Sequence, residues 1–136
     1  MQDLSVTLVQ ASQIWEKKAA NFANYTKLLQ GVETDLILLP EMFQTGFSMN
    51  TEYLKENYTD SKSIQWLQNL AKNKNAALYT SLIIEENDKV YNRGVFVYPD
   101  GTIDSYDKRK AFCLAREDQF FTPGESETII NYLGWN

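Results

Sequence analysis

Apolar and polar positions follow two alternating periods along the chain. Leu4-Ser5-Val6-Thr7-Leu8-Val9-Gln10 alternates residue by residue before turning apolar, as a strand beside a core does. From Trp15 to Val32 the spacing becomes helical, with Phe22, Tyr25, Leu29 and Val32 on one face. Asp35-Leu36-Ile37-Leu38-Leu39 is then apolar without a break until Pro40, which predicts a strand buried on both faces. A loop, Glu41 to Asn50, follows. A second helix is predicted to start near Asp60 or Ser61, with Ile64, Leu67, Leu70 and Ala71 turned inward. Ala77 to Ile84 reads as a strand, Glu85 to Asp88 as a polar turn, and Lys89 to Tyr98 as the antiparallel partner. Pro99-Asp100-Gly101 is a turn, Thr102 to Asp107 a third short strand, and Thr128 to Leu133 the start of one more.

The order β-α-β-α-β-β-β with a closing strand predicts an α/β (α+β) fold. A mixed sheet with helices packed on it fits this order better than a doubly wound parallel sheet. No repeat or low-complexity linker interrupts the pattern, and 136 residues suffice for one domain with its own core.

Composition narrows the chemistry. A 43% hydrophobic content excludes wholesale disorder. The longest apolar candidate, Leu36 to Pro40, is far short of the ~20 residues of a membrane span. Met1-Gln2-Asp3-Leu4 lacks the basic start and apolar stretch of a signal peptide. Thirteen basic against eighteen acidic residues leave a net charge of −5, and Lys108-Arg109-Lys110 is the only dense basic run, so no nucleic-acid partner is expected. The chain has no histidine, which removes His-based triads and most zinc sites. Its one cysteine, Cys113, cannot form an internal disulfide. A reducing compartment, most simply the cytoplasm, is expected.

Catalysis, if present, must run on carboxylates, lysines, hydroxyls or a thiol. Glu41 directly follows the apolar strand, where ligands of open α/β sheets gather. Among Met42, Phe43 and Phe47 it could serve as general base and acid; it could equally be a solvated loop glutamate. Lys108 ends the third strand of the meander. It could stabilise an oxyanion or belong to a hydrated basic face with Arg109 and Lys110. Cys113 lies near Lys110 and Arg116, which favour a thiolate, but a lone cysteine is more often inert. Glu117, in Arg116-Glu117-Asp118-Gln119, is either part of a solvated charge cluster or a carboxylate that holds Lys108 in place.

These motifs converge on a resemblance. Leu38-Leu39-Pro40-Glu41-Met42-Phe43 and Tyr106-Asp107-Lys108-Arg109-Lys110-Ala111-Phe112 resemble the glutamate and lysine motifs of the nitrilase superfamily of carbon–nitrogen hydrolases. Tyr91-Asn92-Arg93-Gly94 and Pro99-Asp100-Gly101 stand where that family carries an asparagine on a strand and a turn. The stretch Leu39 to Met49 and the loop Phe112 to Gly124 resemble the bacterial omega-amidase branch. Lys110 stands where the family commonly has a histidine.

The resemblance implies an α-β-β-α sandwich and a Glu-Lys-Cys catalytic set that needs no metal or cofactor. Glu41 would be general base and acid, Lys108 would hold the tetrahedral intermediate, and Glu117 would be the supporting glutamate. The substrate would be a small linear amide, the terminal amide of a 2-oxo acid such as 2-oxoglutaramate, cleaved through a cysteine thioester. The full-length protein would be a homodimer with neither nucleic acid nor membrane as partner. The family's cysteine lies one strand beyond a Gly-Trp pair, and Gly134-Trp135-Asn136 reaches that pair. Residues 1–136 are therefore expected to be the N-terminal part of a single hydrolase domain, inactive alone. The sheet face formed by Val6, Leu8, Ile37, Leu39, Leu82 and Ile84 is expected to lack its cover. The alternatives are an enzyme using Cys113 as nucleophile, another nitrilase-branch amidase, and a non-enzymatic α/β binding module.

Overall fold

A computed structural model describes residues 3–136; Met1 and Gln2, part of the N-terminal stretch read above, lie outside the described residues. In chain order, β1 (Val6–Leu8), α1 (Lys18–Leu28) and β2 (Leu36–Leu38) form a first parallel unit. Next come α2 (Thr51–Leu54), β3 (Glu56–Asn57), α3 (Lys62–Lys74) and β4 (Ala77–Glu86), and β4 lies parallel to β2. The antiparallel strands β5 (Lys89–Val97) and β6 (Ile103–Asp107) complete the sheet, whose order is β1-β2-β4-β5-β6, with β3 beside the far end of β4. This is the mixed α/β sheet the pattern predicts. The two-residue β3 and the single turn of α2 are too short to leave a periodic signal.

The helix ends have local causes. Glu16 sits at φ 55° with its N–H on the Thr45 carbonyl at 2.7 Å, so α1 cannot begin at Trp15. The Ser61 hydroxyl caps α3, accepting from the Ile64 N–H at 3.0 Å. Asn75 closes it in the left-handed conformation, with its N–H on the Ala71 and Lys72 carbonyls.

Strand register decides what is core. Ile37 stands opposite Leu78, and Leu78 opposite Val97. Side chains alternate along a strand, so Leu82, Ile84 and Val95 share that face. All six are buried, in one cluster with Tyr25, Leu29, Ile64 and Leu67 from the helical segments. The helix faces therefore pack as their spacing predicts. The uncovered face is different from the one expected. Ile37, Leu39, Leu82 and Ile84 lie in the helix-covered core, whereas Val6 and Leu8, one residue out of phase, are 45% and 75% exposed on the opposite side with Tyr79.

The closing strand from Thr128 to Leu133 does not form. Tyr132 and Trp135 instead make an isolated bridge around Leu133 and Gly134, both at positive φ as a mirror-image tight turn needs. Side chains rather than a backbone ladder hold this segment. The Tyr132 ring packs edge-on against Phe96, and its hydroxyl donates to the Asp35 carbonyl at 3.1 Å.

Candidate active site

The backbone around Glu41 is fixed from several directions. Thr80 donates its hydroxyl to the Pro40 carbonyl at 2.7 Å, and the Gln13 amide donates to the Glu41 carbonyl at 3.1 Å. Met42 turns to φ 48° with its N–H on the Ser81 hydroxyl at 3.2 Å. Its side chain is wholly buried with Leu54, Ile83 and Phe121. A buried anchor straight after Glu41, in a conformation that non-glycine residues avoid, reverses the chain there. Glu41 then lines a cavity of about 170 Å³, with Tyr79, Asn92, Tyr106 and Lys108 among its walls. The loop that follows is tied back to the body. The buried Asn21 amide donates to the Gln44 carbonyl at 2.8 Å, and the Glu16 carboxylate accepts from the Ser48 hydroxyl at 2.6 Å.

Lys108 follows β6. Its N–H continues the pairing to the Asn92 carbonyl at 3.0 Å, and its own carbonyl accepts from the Gly124 N–H at 3.1 Å. A Cβ on Gly124 would stand 2.1 Å from the Asp107 carbonyl oxygen, so only glycine permits this crossing. The Lys108 ammonium lies 3.0 Å from Glu41 Oε1, 3.0 Å from Glu117 Oε2 and 5.3 Å from the centre of the Phe47 ring.

Glu117 enters from a 3₁₀ turn, Glu117–Gln119, that starts after Arg116 at φ 57°. It is 1% exposed, and both its oxygens are used. Oε1 accepts from Asn92 Nδ2 at 2.8 Å, and Oε2 accepts from the Phe112 N–H at 2.6 Å as well as pairing with Lys108. Glu41, Lys108 and Glu117, three of the four residues singled out from sequence, are thus brought together in one ion-paired group.

The electrostatics follow from these contacts. Burial pushes the Glu117 carboxyl up, but hydrogen bonds from Asn92, Phe112 and Lys108 outweigh it and hold the group below its ordinary value. Burial pulls the Lys108 ammonium down, but hydrogen bonds to Glu117 and Glu41 outweigh that and hold it above its ordinary value. The group is therefore a fixed cation between two carboxylates, one sealed and one 45% exposed at the cavity. Such a cation can stabilise a developing oxyanion, and the open carboxylate can exchange a proton with a bound molecule.

Cys113 is exposed, and its thiol donates to the Ala111 carbonyl at 3.7 Å. Among the described residues, no hydrogen bond joins it to Glu41, Lys108 or Glu117. Among them also, no group of three or more His, Cys, Asp or Glu is placed to hold a metal ion, and no helix is long and apolar enough to cross a membrane.

One residue of the site escaped assignment from sequence. Asn92, 3% exposed in the middle of β5, donates through Nδ2 to Glu41 Oε1 at 2.6 Å and to Glu117 Oε1 at 2.8 Å. The available signal was the stretch Tyr91-Asn92-Arg93-Gly94, which stands where the family carries an asparagine on a strand.

The chain matches the carbon–nitrogen hydrolase family model over residues 5–133. It is 34% identical to the omega-amidase YafV of Yersinia enterocolitica and 32% identical to that of Escherichia coli K12, each over 99% of this chain and 52% of the relative. The chain thus spans about half the length of the curated relatives it matches. A crystal structure of a CN-hydrolase superfamily protein from Xanthomonas campestris, with an arsenic adduct in its active site, superimposes with a TM-score of 0.94 at 31% identity. That match covers 99% of this chain and 51% of the other.

Proposed function

The chain belongs to the carbon–nitrogen hydrolase family, and on that premise we propose that it supplies the glutamate–lysine half of an omega-amidase-type active site. The substrate is the terminal amide of a 2-oxo acid, such as 2-oxoglutaramate. Its products are the 2-oxo acid and ammonia. The observation that carries this assignment is the Lys108 ammonium held 3.0 Å from both an open and a sealed carboxylate, in a chain without histidine.

The roles divide by exposure. Glu41, open to the cavity, takes the proton of a cysteine thiol as sulfur bonds to the amide carbon. Lys108 stabilises the oxygen that becomes negative. As the C–N bond breaks, Glu41 returns the proton to the departing ammonia and leaves a thioester. Glu41 then takes a proton from water, whose oxygen attacks the thioester carbon; as the C–S bond breaks Glu41 returns that proton to the sulfur, and the acid and the free thiol are released. Glu117 keeps the ammonium in place and does not touch the substrate.

Exposed Cys113, bonded to the Ala111 carbonyl, is a poor fit to the nucleophile's place. In this proposal residues 1–136 are the N-terminal part of one hydrolase domain, and the nucleophilic cysteine comes from a segment that follows them. The full-length enzyme is a cytoplasmic homodimer in the same reading, and an exposed free thiol fits a reducing compartment.

The test is ammonia release by the full-length enzyme from 2-oxoglutaramate and from glutamine, which carries an amino group in place of the 2-oxo group. Preferential turnover of 2-oxoglutaramate is expected. Turnover of no terminal amide would overturn the proposal.

A further inference from the structure

The two oxygens of Glu41 are held differently. Oε1 accepts from Asn92 Nδ2 at 2.6 Å and from the Lys108 ammonium at 3.0 Å. Oε2 accepts no hydrogen bond from any described residue. The two donors on Oε1 come from different elements, β5 and the loop after β6. Rotation of the carboxylate would break both bonds together.

Asn92 is an unusual donor. Both of its amide hydrogens go to carboxylates, one of Glu41 and one of Glu117. A flipped amide would set its carbonyl oxygen against those same two anions, so the chemistry dictates the orientation. In that orientation Oδ1 is buried and has no hydrogen-bond partner among the described residues. Buried carbonyl oxygens are nearly always paired, and an orphan of this kind calls for an explanation. Asn92 leaves its own carbonyl oxygen unpaired here. It satisfies the two acids, and in doing so it joins Glu41 to the sealed Glu117, which the Phe112 N–H and Lys108 hold in turn.

We infer that Asn92 is a positioning residue that clamps Glu41 Oε1 to the buried Glu117 and so reserves Oε2 as the oxygen that takes and returns the proton. The inference rests on the amidase reading of the site. An oxygen already accepting two hydrogen bonds, one from a cation, is a poor proton acceptor. The unengaged Oε2 is where a proton from thiol or water lands. Without Asn92, Lys108 alone holds Glu41, and a lysine ammonium on a flexible stem follows a rotating carboxylate rather than fixing it.

The experiment uses the full-length enzyme with 2-oxoglutaramate and three variants. Asn92→Leu keeps the volume and removes both donors. Asn92→Asp keeps the shape and removes both amide hydrogens. Asn92→Ser keeps a single donor. Rates are expressed per reactive cysteine, titrated with a thiol reagent, so that misfolded material does not count. For the Leu and Asp variants kcat per site is expected to fall about 100-fold, the scale of a small misplacement in a reacting group, with KM within about twofold. Ser should fall between them and the parent. A merely structural asparagine would change the thermal midpoint and the number of reactive sites but leave kcat per site unchanged, and that result would overturn the inference. So would a rise in KM at constant kcat. If Leu does not fold, Asp and Ser carry the comparison. Glu41→Gln in the same assay separates the two levels. An active Glu41→Gln removes the amidase reading itself, whereas an inactive one beside fully active Asn92 variants removes only the role of Asn92.

Discussion

Lys108 and Glu117 meet at 3.0 Å across a boundary between two environments. The lysine side chain is 30% exposed and the glutamate 1%. A carboxylate so deeply placed stays charged only because an ammonium, a backbone N–H and an amide are all aimed at it. The pair fixes the lysine ammonium at the wall of the cavity that Glu41 also lines.

The pH dependence of stability follows from Glu117. Its carboxyl is held below the ordinary value despite burial, because Asn92, Phe112 and Lys108 stabilise the anion. Between the lowered folded value and the ordinary one, the unfolded chain binds more protons than the folded chain. The contribution of Glu117 is therefore fully present above the ordinary carboxylate range and is lost as pH falls through its folded value. Glu117→Gln should cost about 1–3 kcal/mol near neutral pH, the price of a buried bonding partner removed. The gap to wild type should close on acidification. Urea unfolding over a pH series measures it, and a gap independent of pH would contradict the assignment.

Cys113 should be dispensable. The chain of residues 1–136 should release no ammonia from 2-oxoglutaramate, and in the full-length enzyme Cys113→Ser should leave turnover unchanged. A coupled ammonia assay reads both. Activity of the 136-residue chain that Cys113→Ser removes would place the nucleophile in the lysine-to-glutamate loop after all.

The uncovered sheet face should drive self-association of the isolated chain. Val6, Leu8 and Tyr79 present an apolar surface on the side away from the helices. Sedimentation velocity should show concentration-dependent oligomers, and Leu8→Lys should shift them toward monomer. A monomer at every concentration would speak against this.

Helix α3 offers a control remote from the site. Ser61 caps it through the Ile64 N–H and donates to Glu56 Oε2 at 2.5 Å. Ser61→Ala should cost about 1–2 kcal/mol in urea unfolding, within the range of lost caps. In the full-length enzyme kcat should not change.

Much of this arrangement was legible in the sequence, for physical reasons. The run Leu36 to Leu39 marks a central strand because such a strand is apolar on both faces, and Glu41 follows as the first charged residue past its end. Ser61 before Ile64, Leu67 and Ala71 marks a capped helix. Local pattern was blind to partnership across the sheet. The phase of Val6 and Leu8 against Ile37 is a matter of register, which the alternation within each strand does not contain. Thr128 to Leu133 looked like a strand by composition but is held by the Tyr132 side chain. Asn92 bonds to Glu41, 51 residues earlier, and Glu117, 25 residues later, a juxtaposition only the fold creates.

The most direct test of the whole account is Glu41→Gln in the full-length enzyme. The change is isosteric and keeps an oxygen for Lys108, but it removes the group that exchanges the proton. Steady-state ammonia release from 2-oxoglutaramate should fall by about 10²–10⁴-fold, the scale of general acid–base catalysis, while the thermal midpoint stays near wild type. Wild-type turnover by a folded Glu41→Gln enzyme would contradict the central claim that this glutamate is the general base of the amidase.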